Sequence, residues 1–334
     1  MKLLAADIGG TNARFIYMDI AESKKNVLAE KSYLSGKYTD FTSLLNVFLA
    51  EHNIKEAIDA ACFAVAGPVK SGEASVTNLP WVINERQLRA ILKIPRVQLI
   101  NDFIAVAYGV STLSNTDVII LQQGQNNNDL QKNDAAVIGA GTGLGASHLV
   151  CKEGHYQAYA SEAGHAGFSP QNALQNRLLN WLQEQQHYVC LEMLLSGGGL
   201  KKIYRFLSEV ELLPESAAVK KAMQSTGPAQ VITEYALKQN DELCQKALAC
   251  FIDIYGAAAG DIVLHYYPLK ELYIAGGIAA KISNKMADGR FIEAFVNKGL
   301  MSSNMKEITV KLVCDEKTGL YGALLCAQSL TESH

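Results

Sequence analysis

Three stretches of this chain combine glycine with groups able to meet a charged ligand. Asp7-Ile8-Gly9-Gly10-Thr11-Asn12-Ala13-Arg14 puts a carboxylate, two glycines, a hydroxyl and an amide into one turn. Glycines let a backbone approach a ligand, and exposed N–H groups with a Thr hydroxyl can surround phosphate oxygens. The same residues also suit a plain hairpin tip, with Asp7 and Asn12 bonding inside the turn. Gly139-Ala140-Gly141-Thr142-Gly143-Leu144-Gly145 places four glycines at alternate positions, with no side chain larger than Leu. It lacks the Gly-Lys-Ser/Thr ending of a Walker loop. Residues 141–146 fit G-x-G-x-x-A, but that dinucleotide fingerprint belongs between a strand and a helix. Here residues 146–150 read as a strand, which rejects it. The third stretch, Gly276-Gly277, closes an apolar run.

Acid–base candidates are fewer. Asn101-Asp102 follows directly on the apolar residues 97–100, at a strand end where open α/β sheets place ligands. A hydroxyl is a poor nucleophile, and a carboxylate within hydrogen-bond reach can accept its proton during phosphoryl transfer. The competing reading is a cap on a helix over 103–108, and the two roles are compatible. Glu162-x-x-His165 has the spacing of a helical metal pair, but residues 161–167 are too rich in glycine for that helix. Glu192 is a charge in an otherwise apolar run, which on local grounds suits a solvated helix face. Seven cysteines occur with no Cys-x-x-Cys or Cys-x-Cys spacing, so they read as small core hydrophobes.

These residues need a frame. Residues 2–6 and 13–18 form a hairpin about the first tip, and 27–33 a third strand. Phe41, Leu44, Leu45, Phe48 and Leu49 make one helical stripe over 41–52. A buried strand over 60–66, a helix over 84–92 capped by Asn84 and a strand over 97–100 follow. The polar residues 122–134 predict an exposed loop. A second strand–glycine–strand cycle then spans 135–150, echoing the first. Residues 172–267 are mainly helical, strands follow at 271–275 and 309–313, and a helix closes the chain over 319–329. Strands separated by helices predict α/β layers, with parallel pairing added to an initial meander.

Length and charge bound the rest. At about 150 residues per domain, 334 residues predict two domains. Thirty Lys+Arg against 33 Asp+Glu leave a net charge of −3, with no basic excess for phosphate backbones. No nucleic-acid partner is expected. The most apolar stretch, 247–267, is broken by Asp253 and Asp261, so a buried helix is expected rather than a bilayer span. The N-terminus meets Asp7 and a Gly pair too early for a signal peptide, and a cytoplasmic location is expected.

In this order, Asp-x-Gly-Gly-Thr-Asn-x-Arg at 7–14, Ile100-Asn101-Asp102-Phe103, the glycines at 139–145, Ser161-Glu162-Ala163-Gly164-His165 and Ile274-Ala275-Gly276-Gly277-Ile278 resemble the bacterial ATP-dependent glucokinases. These belong to the sugar kinase, Hsp70 and actin superfamily, and the resemblance spans about positions 4 to 326. It implies an α/β chain with a two-domain actin-like, ribonuclease-H-like ATPase fold and a cleft between domains. The small domain would be 1–112 plus 315–334, and the large one 113–314. It implies a transferase of glycolysis that moves the γ-phosphoryl of MgATP to glucose. ATP would meet Asp7, Gly9, Gly10, Thr11 and Asn12 on the first tip and Gly141, Thr142 and Gly143 on the second, with Gly276 and Gly277 at adenosine. Asp102 would be the base; Asn101, Thr77, Asn78, Glu162, His165 and Glu192 would bind the sugar; Asp7 would order Mg²⁺ through water. The Cys-x-Cys-Gly zinc motif of the related repressor-like family is absent, so zinc is not implied. A homodimer is expected by analogy and base rate. Rivals are a kinase for mannose or an N-acetylated sugar and a non-catalytic ATP-switched actin- or Hsp70-like protein. A sugar-responsive regulator would want a basic helix-turn-helix extension, whereas the chain opens on the first strand.

Overall fold

β1 (Lys2–Ile8) sends Leu4, Ala6 and Ile8 into one apolar cluster and Leu3 and Ala5 into another. Burial on both faces makes it an interior strand. The computed structural model describes residues 1–21, 24–54, 57–124, 134–152 and 155–332. Their packing separates Met1–Ser114, Tyr156–Ala160 and Asp315–His334 from Asn115–His155 and Ser161–Cys314.

In the first unit β2 (Asn12–Ala21) and β3 (Lys24–Leu34) continue from β1 as an antiparallel meander. α1 (Phe41–Glu51) is capped by Asp40, whose carboxylate accepts the Ser43 N–H at 2.7 Å. Its stripe of Phe41, Leu44, Leu45 and Phe48 is buried, and Phe48 stacks on Phe15 at 4.9 Å. β4 (Ala60–Val65) then runs parallel to β1. A small antiparallel sheet of β5 (Val69–Lys70), β6 (Glu73–Ser75) and β7 (Val82–Asn84) follows, too short to show in the sequence pattern. Asn84 caps α2 (Glu85–Leu92) as expected, accepting the Arg86 N–H at 2.9 Å. β8 (Val97–Asn101) adds parallel to β4, giving the order β3-β2-β1-β4-β8, and leads straight into α3 (Asp102–Val110).

The second unit repeats this plan. After β9 (Val118–Gln122), the hairpin of β10 (Ala135–Ala140) and β11 (Leu144–Lys152) continues in the same sheet to β12 (His155–Ser161), whose Tyr156–Ala160 group with the first unit. Helices α4 (Ala173–Gln183), α5 (Gly197–Glu209), α6 (Ala217–Ala222), α7 (Pro228–Lys238) and α8 (Glu242–Tyr266) precede β13 (Glu271–Ala275). Short helices α9 (Gly277–Lys281), α10 (Ser283–Met286), α11 (Arg290–Val296) and α12 (Ser302–Met305) lead to β14 (Thr309–Val313). The order β12-β11-β10-β13-β14 matches that of the first sheet, with β9 added antiparallel at the edge. The glycines after β10 sit in an antiparallel hairpin, so the G-x-G-x-x-A match is no dinucleotide loop.

α8 is long and apolar enough to cross a membrane, yet 78% of its most apolar window is buried inside the fold. That agrees with a core helix. The expected exposed loop over 122–134 fails at both ends. Gln122 ends β9 and donates to the carbonyls of Met305 and Ile308, while Asp134 is buried and accepts the Cys151 N–H at 2.9 Å. Residues 125–133 lie outside the described residues.

α13 (Thr318–Glu332) completes the first unit against α3. A Cβ at Gly109 would strike the Thr318 carbonyl, and one at Gly322 the Ala105 carbonyl. The two helices therefore touch backbone to backbone, which brings the start of α13 beside β1.

Candidate active site

The first unit gathers its polar groups at the carboxyl ends of β1, β4 and β8. Asp7 is the second-last residue of β1, Asn101 the last of β8 and Asp102 the first of α3. Asn101 serves as the cap: its Oδ1 accepts the Phe103 N–H at 2.9 Å and its Nδ2 donates to the Gly67 carbonyl at 3.2 Å. The competing cap reading thus holds for Asn101, and Asp102 Oδ1 accepts the same N–H at 3.0 Å. Burial, then the charge of Asp7, pushes the Asp102 carboxyl up to about 6. Asp7 is itself raised by burial, against the opposing charge of Arg14. Arg14 is held in place by Glu316, through its carbonyl at 2.6 Å and its carboxylate at 2.7 Å. Gly319, at the start of α13, packs on Asp7.

The first tip is closed by the Gly9 N–H donating to the Asn12 carbonyl at 2.9 Å. The buried Ser35 clamps it from below. Its hydroxyl donates to the Gly9 carbonyl and its N–H to the Thr11 carbonyl, both at 2.9 Å. Thr11 and Asn12 remain exposed. Gly10 abuts the Thr77 carbonyl, where a Cβ would come within 2.7 Å, and Asn78 beside it. The Thr77 N–H donates to the Ala66 carbonyl at 2.8 Å, next to the Gly67 that holds Asn101. Asp7, the tip, Thr77-Asn78 and Asn101-Asp102 are therefore one connected patch.

The second unit assembles its own set. In the second tip the Gly141 N–H donates to the Gly143 carbonyl at 2.8 Å, and the Gly197 N–H to the Gly141 carbonyl at 3.1 Å. Glu192 is half-buried on a single 3-10 turn, Leu191–Met193, and not on a solvated helix face. Its Oε2 accepts the Leu144 N–H at 2.9 Å, and a Cβ at Gly143 would collide with the same oxygen. Glu162 precedes another 3-10 turn, Ala163–His165, and His165 ends it, so one turn forms where no α-helix does. Their side chains are 84% and 62% exposed, with His165 Nε2 3.9 Å from Glu162 Oε2. Gly164 between them presses on the Leu144 carbonyl, so this turn packs on the second tip.

Gly276 takes φ +88 and leaves no room for a Cβ against the Ala140 backbone. Only glycine meets both conditions without strain. A cavity of about 860 Å³ opens beside the tip, lined among others by Gly141, Thr142, Gly198, Gln230, Thr233 and Gly277. Its size and few polar groups suit a nucleoside. Ser35, Gln230 and Thr233 were not singled out in the sequence. Ser196 before three glycines and Gly227-Pro228 were readable as helix starts, which is the signal that could have marked this cavity. Among the described residues no group of three or more His, Cys, Asp or Glu gathers to hold a metal.

A family model described as "Glucokinase" matches residues 4–330, which includes both tips and both carboxylates. The chain belongs to the glucokinase family. A curated glucokinase from a Nostoc species is 38% identical over 98% of this chain and 99% of its own length. The crystal structure of a glucokinase from an Antarctic psychrotroph superimposes with a TM-score of 0.82 at 31% identity, covering 98% of this chain and 99% of that one. A glucokinase of the ROK family from Streptomyces griseus, solved with glucose and AMPPNP, shares the fold at a TM-score of 0.68 and 18% identity over 98% and 100% of the two chains. The glucokinase-family chain thus has the actin-like ATPase fold and is an enzyme of the hexose-kinase class.

Proposed function

We propose that the chain transfers the γ-phosphoryl group of ATP to the 6-hydroxyl of glucose, giving glucose 6-phosphate and ADP. The observation that carries this reading is Asp102. A half-buried carboxylate at the start of α3, pushed up to about 6 by desolvation and by the charge of Asp7, is ionised at neutral pH yet basic enough to take a hydroxyl proton. In the step, the O6–H proton passes to Asp102, the O6–phosphorus bond forms, and the bond from phosphorus to the β,γ-bridging oxygen breaks. ADP leaves with that electron pair.

The remaining residues position the reactants. The N–H groups of Gly10 and Gly143 and the hydroxyls of Thr11 and Thr142 suit phosphate oxygens, Gly9 and Gly141 shape the two tips through the N–H bonds they make inside them, and Asn12 suits the edge of the first tip. Adenosine fits the cavity that Gly277 helps to line, with Gly276 just before it at the end of β13. Thr77, Asn78, Asn101, Glu162, His165 and Glu192 take sugar hydroxyls, and for Asn101 and Glu192 this adds to the backbone bonds they already make. Asp7 offers a hard carboxylate oxygen, and Mg²⁺ accepts few protein ligands when phosphates and waters complete its shell. Asp7 would hold that ion through water alongside ATP, and the ion would neutralise phosphate charge. The same reading makes the enzyme a cytoplasmic homodimer of glycolysis.

Asp102→Asn keeps the shape and removes the proton acceptor. The expected result is a fall in kcat of about 10² or more with glucose binding largely kept. Retention of more than half of the wild-type kcat would reject Asp102 as the base.

A further inference from the structure

Both glycine motifs of the second unit spring from adjacent parallel strands, and one buried side chain joins their ends. Ala140 is the last residue of β10 and Ala275 the last of β13, with Gly139 in register with Ala275. Tyr255, on α8, is fully buried. Its hydroxyl accepts the Ala140 N–H at 3.0 Å and faces the Ala275 carbonyl at 3.5 Å. The ring is fixed edge-on between Phe251 and Phe291, with centroids 5.9 and 5.6 Å away. Gly276 also lies against the Ala140 backbone, nearest to its carbonyl oxygen. The Ala140 backbone is thus held by a phenol at its N–H and crowded by a glycine at its carbonyl, one residue before the Gly141–Gly143 tip begins.

We infer that Tyr255 is a positioning residue for the nucleotide, setting the direction in which the Gly141–Gly143 tip and Gly276-Gly277 leave the sheet. The inference rests on the reading of that tip as the phosphate cradle. Ala140 is fully buried, so no water replaces the phenol if it is lost. The orphaned N–H then favours a rotated peptide, and the tip amides no longer converge on one phosphate. This chain of contacts does not reach Asp102, so the proton transfer stays as it is; the tip meets Glu192 and the Ala163–His165 turn only at its far end, Gly143–Leu144, so glucose is expected to weaken less than ATP.

The test compares three full-length variants by steady-state kinetics with ATP and glucose. Tyr255→Phe removes only the hydroxyl, and KM for ATP is expected to rise about tenfold while KM for glucose moves less than about twofold. Tyr204→Phe removes another buried hydroxyl of the same unit, bonded to Glu215 at 3.1 Å, and is expected to lower Tm without moving KM for ATP. An equal rise in both variants would mean general softening and overturn the inference. Thr142→Ala tests the cradle itself. If it raises KM for ATP while Tyr255→Phe does not, the cradle stands and the role of Tyr255 falls. If neither variant changes it, both readings fall. Should Tyr255→Phe not fold, amide exchange of wild-type Ala140 decides. Exchange slowed to the level of global unfolding without nucleotide supports a pre-set peptide, and fast exchange that slows only with ATP contradicts it.

Discussion

Burial and the nearby Asp7 charge hold the Asp102 carboxyl at about 6, where a free aspartate would stand near 3.8. As the base it must be ionised, so kcat/KM is expected to fall about tenfold per pH unit below about 6. Fold stability runs the other way. A folded pKa above the unfolded one means that the native state binds the extra proton between about pH 4 and 6, and stability falls as pH rises through that window. Asp102→Asn is therefore expected to stabilise the ligand-free protein at pH 8 by on the order of 1–3 kcal/mol, an advantage that vanishes near pH 4. Thermal melts at the two pH values check it, and an advantage that grows toward pH 4 would contradict the assignment. His165 and Glu162 stand largely in solvent without a ligand, as groups waiting for hydroxyls do. His165→Ala is expected to lower kcat/KM for glucose roughly ten- to 150-fold, leave KM for ATP unchanged and narrow the gap between glucose and 2-deoxyglucose. Equal losses for glucose, mannose and 2-deoxyglucose would make it a support of the loop. The carboxylates could be read from residue type and position at a strand end. Ser35 could not, because a serine reaching two carbonyls of a distant turn leaves no local pattern.

The two hairpins were legible as elements because glycines interrupt otherwise apolar alternation. Their supports were not, since Glu192 reaches the Leu144 N–H from 48 residues away. This contact separates two neighbouring glycines. A Cβ at Gly141 meets nothing within 4 Å, whereas one at Gly143 collides with the Glu192 carboxylate. Gly141→Ala is expected to leave Tm and glucose binding intact and to raise KM for ATP, because the added methyl meets only the ligand. Gly143→Ala displaces Glu192 and is expected to weaken ATP and glucose together. Isothermal titration of each ligand on both variants distinguishes the cases, and identical behaviour would mean that Glu192 does not join the tip to the sugar. The strands absent from the sequence reading, β5 to β7, β9 and β12, are short or at a sheet edge. There a half-exposed pattern is too brief to rise above loop composition.

Over the whole molecule, the repeated order β3-β2-β1-β4-β8 and β12-β11-β10-β13-β14 gives each unit a glycine hairpin at the ends of parallel strands. The echo of the two cycles was visible in sequence, while the helices α4 to α8 between β12 and β13 hid how the second sheet closes. That doubled plan gives each unit its own backbone-rich tip and leaves the carboxylate pair in the first unit alone. The central claim is that this hydroxyl belongs to glucose. A coupled assay of ADP formation with MgATP across glucose, mannose, fructose and N-acetylglucosamine tests it most directly. The expected result is sugar-dependent turnover with the highest kcat/KM for glucose and a 6-phosphate product; a faster N-acetylated sugar, or ADP release indifferent to sugar, would contradict it.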